Sequence, residues 1–143
     1  MRYLLTLLLI LIIGIAGCEK KPPEMKPLDV AADTTNTGLI IQEIKVGDGA
    51  EAKVGDDVKI HYTGWFTDGK MFDSSILRKV PIKLKLGTGQ VIAGWEEGIQ
   101  GMKVGGKRRL TIPPHLAYGA QGRPGAIPPN STLVFDVELV KIQ

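Results

Sequence analysis

Residues 61–75 read HYTGWFTDGKMFDSS, a run of strand-forming residues that turns and comes straight back. Apolar and polar residues alternate from Asp57 to Phe66, which is typical of a half-buried β-strand. Asp68-Gly69 is a strong turn signal, because Asp-Gly pairs suit the tight turns that join antiparallel strands. The stretch therefore predicts a β-hairpin whose returning strand places Phe72 next to the carboxylate of Asp73.

Three other segments, 82–86, 107–112 and 133–141, show the same alternation and are predicted strands. Residues 91–102, VIAGWEEGIQGM, break this period of two: their apolar residues recur at helical spacing between glycines, which predicts a short helix. One helix among about five antiparallel strands predicts an α+β fold with a sheet wrapped against that helix. The apolar positions of the helix are Ile92, Trp95, Ile99 and Met102, with Glu96 and Glu97 on the opposite face.

Residues 113–129, PPHLAYGAQGRPGAIPP, follow no period at all. A structureless segment of this length in a compact domain is usually either functional or disordered. Leu116, Tyr118 and Ile127 argue against disorder, because disordered segments are poor in large apolar residues. We therefore expect a functional loop.

Composition argues against several classes of function. The chain has 143 residues, enough for one ordinary domain, and a formal net charge of only +3. That charge is too small to indicate a nucleic-acid partner, and the basic run at 107–109 falls on a predicted strand. The two histidines, His61 and His115, have no neighbouring ligands in the sequence, so no metal site is expected. Phosphate-loop spacing and nucleophile motifs are also missing from the sequence, and no cofactor is expected.

The chain begins with MRYLLTLLLILIIGIAGCEKK at residues 1–21. One arginine precedes an apolar run that is shorter than the ~20 residues a membrane-spanning helix needs. This pattern predicts a secretory signal peptide, with an uncleaved N-terminal anchor as the alternative.

The stretch IAGC at residues 15–18 resembles the lipobox of bacterial lipoproteins, in which a peptidase cuts before a diacylated cysteine. The resemblance implies a lipoprotein signal peptide at 1–17 and a lipid such as palmitate on Cys18, which would anchor the protein in a membrane. The alternative is a free thiol, but a lone exposed cysteine outside the cytoplasm is a liability. Glu19 follows where an aspartate would suggest inner-membrane retention. We therefore expect an exported protein in the bacterial cell envelope, on the outer membrane, with its domain in the periplasm or outside.

Residues 18–38 form the predicted tether that follows the lipidated cysteine. From Glu19 the sequence reads EKKPPEMKPLDVAADTTNTG, in which prolines, charges and small polar residues dominate. Such a composition has too few apolar groups to form a core and is typical of a flexible linker. The folded domain is therefore predicted to span residues 39–143.

Aromatic residues accumulate in the predicted domain, and any one of them alone would more often be core than pocket. Taken in order, HYTGWFTDGKMFDSS, VIAGWEEGIQGM and AYGAQGRPGAIPPNSTLVFDVEL closely resemble the FKBP-type peptidyl-prolyl cis/trans isomerases, immunophilins that bind tacrolimus. The resemblance covers essentially residues 39–143. It implies a twisted antiparallel sheet curled around one short helix, and an enzyme that accelerates X-Pro rotation as exported proteins fold. Proline-containing polypeptides would be its substrates, and macrolides such as tacrolimus its inhibitors.

The same resemblance implies roles for single residues. Trp95 would form the floor of a proline pocket, beneath the substrate ring. The backbone N–H of Ile92 and the hydroxyl of Tyr118 would donate hydrogen bonds to the substrate. The implied catalytic residues are Tyr62, Phe72, Asp73, Trp95, Tyr118 and Phe135, and the implied substrate-binding residues are Ile82, Val91, Ile92 and Ile127.

Asp73 has two possible roles, as an acid or base for chemistry or as the polar anchor of an apolar site. Rotation about an amide bond moves no proton, which favours the second role. We expect the Asp73 carboxylate to stand at the pocket edge, where it accepts hydrogen bonds from Tyr62 and Arg78 and holds the pocket wall.

The chain departs from the family pattern at two places. Ile82 occupies a wall position that is usually aromatic, and the loop tip carries Arg123 and Ala126 where bulkier or different side chains are common. Both departures thin the rim and leave the floor intact. We expect an altered sequence preference and weaker macrolide affinity, with activity retained.

Two further expectations concern assembly and turnover. Residues 118–127 are too few for the inserted chaperone flap of some bacterial relatives, and a helical dimerisation segment is missing from the sequence, so a monomer is expected. A membrane-tethered holdase, or a binding module for proline segments with little turnover, is the competing hypothesis. The enzyme is favoured by the joint presence of Phe72, Asp73, Trp95, Tyr118 and Phe135.

Overall fold

The computed structural model of the protein describes residues 21–143. These residues form one antiparallel sheet with a short helix against it, as the sequence predicts, but the sheet has seven strands instead of about five. The strands are β1 (Ala32–Thr34), β2 (Ile40–Lys45), β3 (Asp57–Phe66), β4 (Met71–Ser74), β5 (Ile82–Lys85), β6 (Lys107–Ile112) and β7 (Leu133–Ile142). The helices are α1 (Ser75–Arg78) and α2 (Ala93–Ile99), with a single 3-10 turn at Pro114–Leu116.

Strand β3 is the centre of the sheet. Strand β7 pairs along one of its edges, while β5 and β4 share the other edge. Beyond β7 the sheet continues with β6, β2 and β1, and every pairing is antiparallel. The turn predicted at Asp68-Gly69 joins β3 to β4, and Gly69 has a φ of 88°, a left-handed conformation that glycine adopts without a steric penalty.

The two strands that the sequence did not predict are β1 and β2. Strand β2 reads IIQEIK, in which Ile40 and Ile41 are adjacent and Ile44 follows two polar residues, so no period of two is visible. Strand β1 has only three residues, all exposed. Strand β1 is a strand only because it pairs with β2, and this pairing requires no particular pattern in residues 32–34.

Strand β1 lies inside the segment predicted as a flexible tether, so the domain begins before residue 39. Two side chains of the sheet hold this segment as well. The Trp65 indole donates to the Pro23 carbonyl at 2.9 Å, and Arg109 donates to the Lys26 carbonyl at 2.6 Å. Composition did not indicate this docking, because the groups that are bound are backbone carbonyls, which every residue has.

The signal peptide predicted at 1–17 and the lipid-bearing Cys18 lie outside the residues that the structure describes. Between residues 21 and 143, no helix is long and apolar enough to cross a membrane.

Helix α2 packs closely against β6. A Cβ atom added at Gly94 would lie 2.5 Å from Ile112 Cγ2, and one added at Gly98 would lie 2.5 Å from Leu110 Cδ1. Ile112 and Leu110 are both fully buried. The two glycines therefore set the distance between helix and sheet, and with it the position of Trp95, which lies between them in the sequence.

Gly98→Ala is expected to lower the free energy of unfolding by about 1–3 kcal/mol, because the added methyl group over-packs Leu110. The better helix propensity of alanine offsets only part of this loss. Urea denaturation of Gly98→Ala, Leu110→Val and the double variant checks the contact. The smaller valine side chain makes room for the methyl group, so the double variant should lose less than the sum of the single losses. Additive losses would contradict the proposed contact.

Candidate active site

Phe72 and Asp73 are consecutive in β4, yet both line the same cavity. In a regular strand, consecutive side chains point to opposite faces of the sheet. The pairing of β3 with β4 is irregular here: Gly64 pairs with Asp73, whereas Trp65 pairs with Met71, which leaves Phe72 as an extra residue. A β-bulge of this kind re-aims the side chains beside it. It brings the Phe72 ring and the Asp73 carboxylate to one side of the sheet.

Gly64, opposite the bulge, leaves room for two aromatic rings. A Cβ atom at this position would lie 2.7 Å from Phe72 Cζ and 2.7 Å from Phe135 Cε1. The rings of Phe72 and Phe135 meet edge to face, with their centroids 5.5 Å apart. The resemblance implied site roles for Phe72 and Phe135 but gave none to Gly64, because this close approach exists only once the strands are paired.

Three buried rings form the inner part of the cavity. Trp95 of α2 meets Tyr62 at a centroid distance of 5.0 Å and Phe135 at 5.2 Å, both edge to face. Such contacts contribute about 0.5–1.5 kcal/mol each beyond the burial of their area. Tyr62, Trp95 and Phe135 are only 7%, 4% and 5% exposed. The helix and the sheet therefore join through a fixed aromatic surface.

The Asp73 carboxylate is held by two side chains, as expected. The Tyr62 hydroxyl donates to Oδ2 at 2.5 Å, and the Arg78 guanidinium donates to Oδ1. Arg78 also donates to the Tyr62 hydroxyl oxygen at 2.8 Å, which closes a ring of three residues. The backbone N–H of Ser74 donates to Oδ1 at 2.8 Å. The carboxylate is thus compensated on both oxygens.

This network sets the ionisation of its members. Burial alone would raise the pKa of the Asp73 carboxyl, but the hydrogen bonds from Tyr62 and Arg78 and the Arg78 charge outweigh it, so this pKa lies below its usual value. Burial, and then the hydrogen bond to Asp73, raises the pKa of the Tyr62 hydroxyl. Near neutral pH the carboxylate is therefore charged and the phenol protonated.

Residues 86–92 lead into α2, and the last three of them, 90–92, line one rim of the cavity. Glu96 ties this segment to the helix, since its carboxylate accepts the N–H of Gly87 at 2.5 Å and that of Gly89 at 3.1 Å. The helical pattern indicated only that Glu96 lies on the polar face. The N–H of Ile92, the implied donor to substrate, donates to no other group within residues 21–143 and is free to bind a ligand.

The long loop 113–129 forms the opposite rim. Arg123 and Ile127 exchange both backbone hydrogen bonds, each at 2.8 Å, and so close a tight hairpin. The tip of this hairpin, residues 124–126, lines the cavity together with Tyr118. The loop without a sequence period is therefore an ordered wall of the site.

Together these parts surround a cavity of about 560 Å³, a volume typical of sites for small ligands and short peptide segments. Arg123 and Ala126, the departures at the loop tip, lie on its lining. So do Gln90, Pro124 and Gly125, which were not predicted, because loop geometry alone brings them there. All the implied site residues line the cavity: Tyr62, Phe72, Asp73, Ile82, Val91, Ile92, Trp95, Tyr118, Ile127 and Phe135.

The chemistry of the cavity is that of an apolar site with a few donors. The Trp95 indole N–H is buried without a hydrogen-bond partner within the described part of the chain. In that same part, no three His, Cys, Asp or Glu residues come together as metal ligands would. Since Asp73 is already paired, the arrangement suits an uncharged, ring-bearing peptide group whose carbonyls accept hydrogen bonds from the rim.

Comparison with known families gives one match over this part of the chain. Residues 49–140 match the family described as FKBP-type peptidyl-prolyl cis-trans isomerase. The match covers more than half of the chain and includes every residue that lines the cavity.

Individual proteins show the same similarity. The FK506-binding protein of Neisseria meningitidis serogroup B is 54% identical over 105 residues, which are 73% of this chain and 96% of that protein. FK506-binding protein 1 of Saccharomyces cerevisiae is 57% identical over 103 residues, 71% of this chain and 90% of that protein. The crystal structure of FkpA from Escherichia coli matches with a TM-score of 0.73 and 49% identity, over 78% of this chain and 51% of FkpA. The structure of AtFKBP13 matches with a TM-score of 0.73 and 41% identity, over 79% of this chain and 99% of that one.

Proposed function

The chain belongs to the FKBP-type peptidyl-prolyl cis-trans isomerase family, and we propose that the aromatic cavity is the site at which it catalyses rotation about the X-Pro bond. The enzyme accelerates rotation about the bond that precedes proline. The observation that carries the assignment to this cavity is the buried Trp95 floor beside a carboxylate, Asp73, whose two oxygens both already accept hydrogen bonds.

Rotation about an X-Pro bond needs no nucleophile, because no covalent bond is made or cut. The barrier is ~18–20 kcal/mol, and without a catalyst isomerisation takes tens to hundreds of seconds. A twisted amide has lost its resonance, and its carbonyl oxygen carries less negative charge than in the planar form. An apolar cavity therefore disfavours the planar form more than the twisted one, which is differential binding of the transition state.

The residues divide this work between them. Trp95 lies beneath the proline ring, and the edge-to-face pair of Phe72 and Phe135 encloses it. The Ile92 N–H and the Tyr118 hydroxyl donate to carbonyls of the substrate and hold its two ends while the bond between them turns. Lowering the barrier by ~5–6 kcal/mol corresponds to about four decades of rate.

Asp73 supports the site without exchanging a proton. Its carboxylate fixes the Tyr62 hydroxyl and the Arg78 guanidinium, and so keeps the Tyr62 ring against Trp95. Leaving a buried donor without its hydrogen-bond partner typically costs ~1–3 kcal/mol of free energy. We therefore assign Asp73 to holding the wall and the local field beside the twisted carbonyl.

The ligands of the cavity are proline-containing polypeptides and, we propose, macrolides of the FK506 type. The relatives from Neisseria and Saccharomyces are named for binding FK506. In this chain Ile82 lines the cavity at a wall position that is usually aromatic, so less ring surface meets the macrolide. We expect binding in the same cavity with lower affinity and an altered preference for the residue before proline.

We also propose that the enzyme acts outside the cytoplasm, as a monomer, on exported proteins during their folding. The support is the sequence of residues 1–18, with its leader and the IAGC stretch that ends at Cys18. A lipid on Cys18 would hold the enzyme at the outer membrane, with its domain in the periplasm or outside.

Phe72→Ala is expected to remove most of the isomerase activity, because it deletes a whole wall, whereas Trp95→Leu keeps an apolar floor and should lose less. A protease-coupled assay with an apolar-X-Pro peptide measures both, with inhibition by tacrolimus, and none by cyclosporin, as the check that the rate comes from this cavity. Ile142→Ala is the control, since Ile142 packs against the core at the other end of β3 and is absent from the cavity lining. A wild-type rate no higher than the uncatalysed rate, and therefore equal to that of Phe72→Ala, would indicate a holdase that binds proline segments without isomerising them.

The isomerase rate is expected to be flat from about pH 6 to 9. The pKa of Asp73 is lowered from 3.8, so the carboxylate is charged throughout this range, and the pKa of Tyr62 is raised from 10.0, so the phenol stays protonated. Asp73→Leu should slow turnover by about tenfold to a hundredfold without changing the shape of the profile. A rate that halves at a pKa between pH 6 and 9 would show that the carboxylate does proton chemistry.

The anchor is tested on the protein purified from cells. If Cys18 is acylated, mass spectrometry of the N-terminal peptide finds lipid mass on it, and the protein partitions with membranes. Cys18→Ser should abolish both. A soluble mature protein that begins at another residue would disprove the anchor.

A further inference from the structure

A second aromatic site lies on the outer face of the sheet, away from the cavity. Leu110 pairs with Phe135, and Arg109 pairs with Asp136, so these two pairs point to opposite faces. Phe135 lines the cavity, which puts Arg109 and Asp136 on the other side. Trp65, on neighbouring β3, is only 2% exposed although it belongs to this outer face. The outer-face site, defined as Trp65, Arg109 and Asp136, is therefore covered.

Residues 21–28, KPPEMKPL, provide hydrogen-bonding contacts over this site. The Trp65 indole N–H donates to the Pro23 carbonyl at 2.9 Å, and Arg109 Nη1 donates to the Lys26 carbonyl at 2.6 Å. The Arg109 guanidinium is held in place by two other groups of the sheet. Arg109 Nε and Nη2 bind the Asp136 carboxylate at 2.6 and 3.0 Å, and the guanidinium lies 5.7 Å from the centroid of the Trp65 ring.

The spacing of the two bound carbonyls fits a polyproline II conformation. Pro23 and Lys26 are three residues apart, and a polyproline II helix has three residues per turn, so such carbonyls point to the same side. Pro22, Pro23 and Pro27 fix their own φ near −65° and drive the preceding residues towards extended conformations. Residues 21–30 contain no helix or strand of their own. An aromatic surface with an N–H donor is also what grooves for polyproline II peptides present.

We propose that the outer-face site is a binding site for polyproline II segments, separate from the isomerase cavity, and that residues 21–28 of the same chain are its ligand. These residues are called the strap below. The site binds backbone carbonyls of a preformed extended segment whose peptide bonds are all trans, and it contributes no group to the isomerase cavity. With the strap in place Arg109 is 6% exposed, and since its Nε and Nη2 bind the Asp136 carboxylate, Nη1 is the donor left for a strap carbonyl.

Cleavage by glutamyl endopeptidase after Glu24 in the full-length protein tests the proposal. Glu24 lies between the two bound carbonyls, so the protease reaches this bond only when the strap is released. Pro23→Gly leaves the outer-face site intact but removes the preset backbone, and should speed cleavage about fivefold. Asp29→Gly, just beyond the strap, should leave the rate unchanged. Each rate is divided by that of a free peptide of the same sequence, which removes the preference of the protease itself.

Two further measurements separate docking from general stability. Trp65→Phe keeps an aromatic ring but removes the donor, and should also speed cleavage about fivefold. Leu84→Val, a buried change where β5 pairs with the other end of β3, should not. A peptide KPPQMKPL, which carries glutamine in place of glutamate and is not cut, should compete with the strap and accelerate cleavage of the wild-type protein.

Equal normalised cleavage of wild type, Pro23→Gly and Trp65→Phe would overturn the proposal, as would wild-type cleavage as fast as that of the free peptide. Isomerase activity of Pro23→Gly should equal that of wild type, because the strap lies outside the cavity. The outcome is therefore independent of the function proposed for the cavity.

Discussion

The pairing of β3 with β4 contains one more residue on the β4 side, and the pocket depends on this irregularity. A regular ladder would send either Phe72 or Asp73 to the outer face of the sheet. The bulge keeps both on the inner side, opposite Gly64. Tyr62 lies two residues before Gly64 and therefore on the same face, within reach of the carboxylate. Because a slip of one residue reverses every side chain of a strand, the register of this one pair decides whether the aromatic wall and its polar support meet at all.

The polar support also explains how a charge can stand beside an apolar cavity. The Asp73 side chain is 39% exposed, and a charge that is partly removed from water needs hydrogen-bond partners to offset its lost hydration. Asp73 has these partners in Tyr62, Arg78 and the Ser74 N–H. The same bonds occupy both oxygens of the carboxylate. Its charge therefore shapes the site through the position of the Tyr62 ring, which it holds against Trp95.

Much of this architecture is visible in the sequence, because strong periodicity survives without context. The alternation in β3 and β7 and the helical spacing around Trp95 each reflect one buried face. The order of three motifs implied ten site residues, and all ten meet at one cavity. What the sequence did not indicate depends on register or on backbone groups. The bulge at Phe72 exists only once β4 is paired with β3. Strand β2 has no clean alternation, and the strap is held through backbone carbonyls, which carry no sequence signal.

The position of the strap has a consequence for how the enzyme meets its clients. The strap crosses the outer face of the sheet, whereas the cavity opens on the inner side. Lys21 is three positions after Cys18 in the sequence, a reach of about 10 Å at most. An enzyme attached through that cysteine would rest on the membrane with the outer face of its sheet towards the lipid and its active site towards the aqueous space. Such a geometry would limit how far the active site reaches along the membrane surface. It would favour client chains that diffuse in from the aqueous compartment over chains that are embedded in the bilayer.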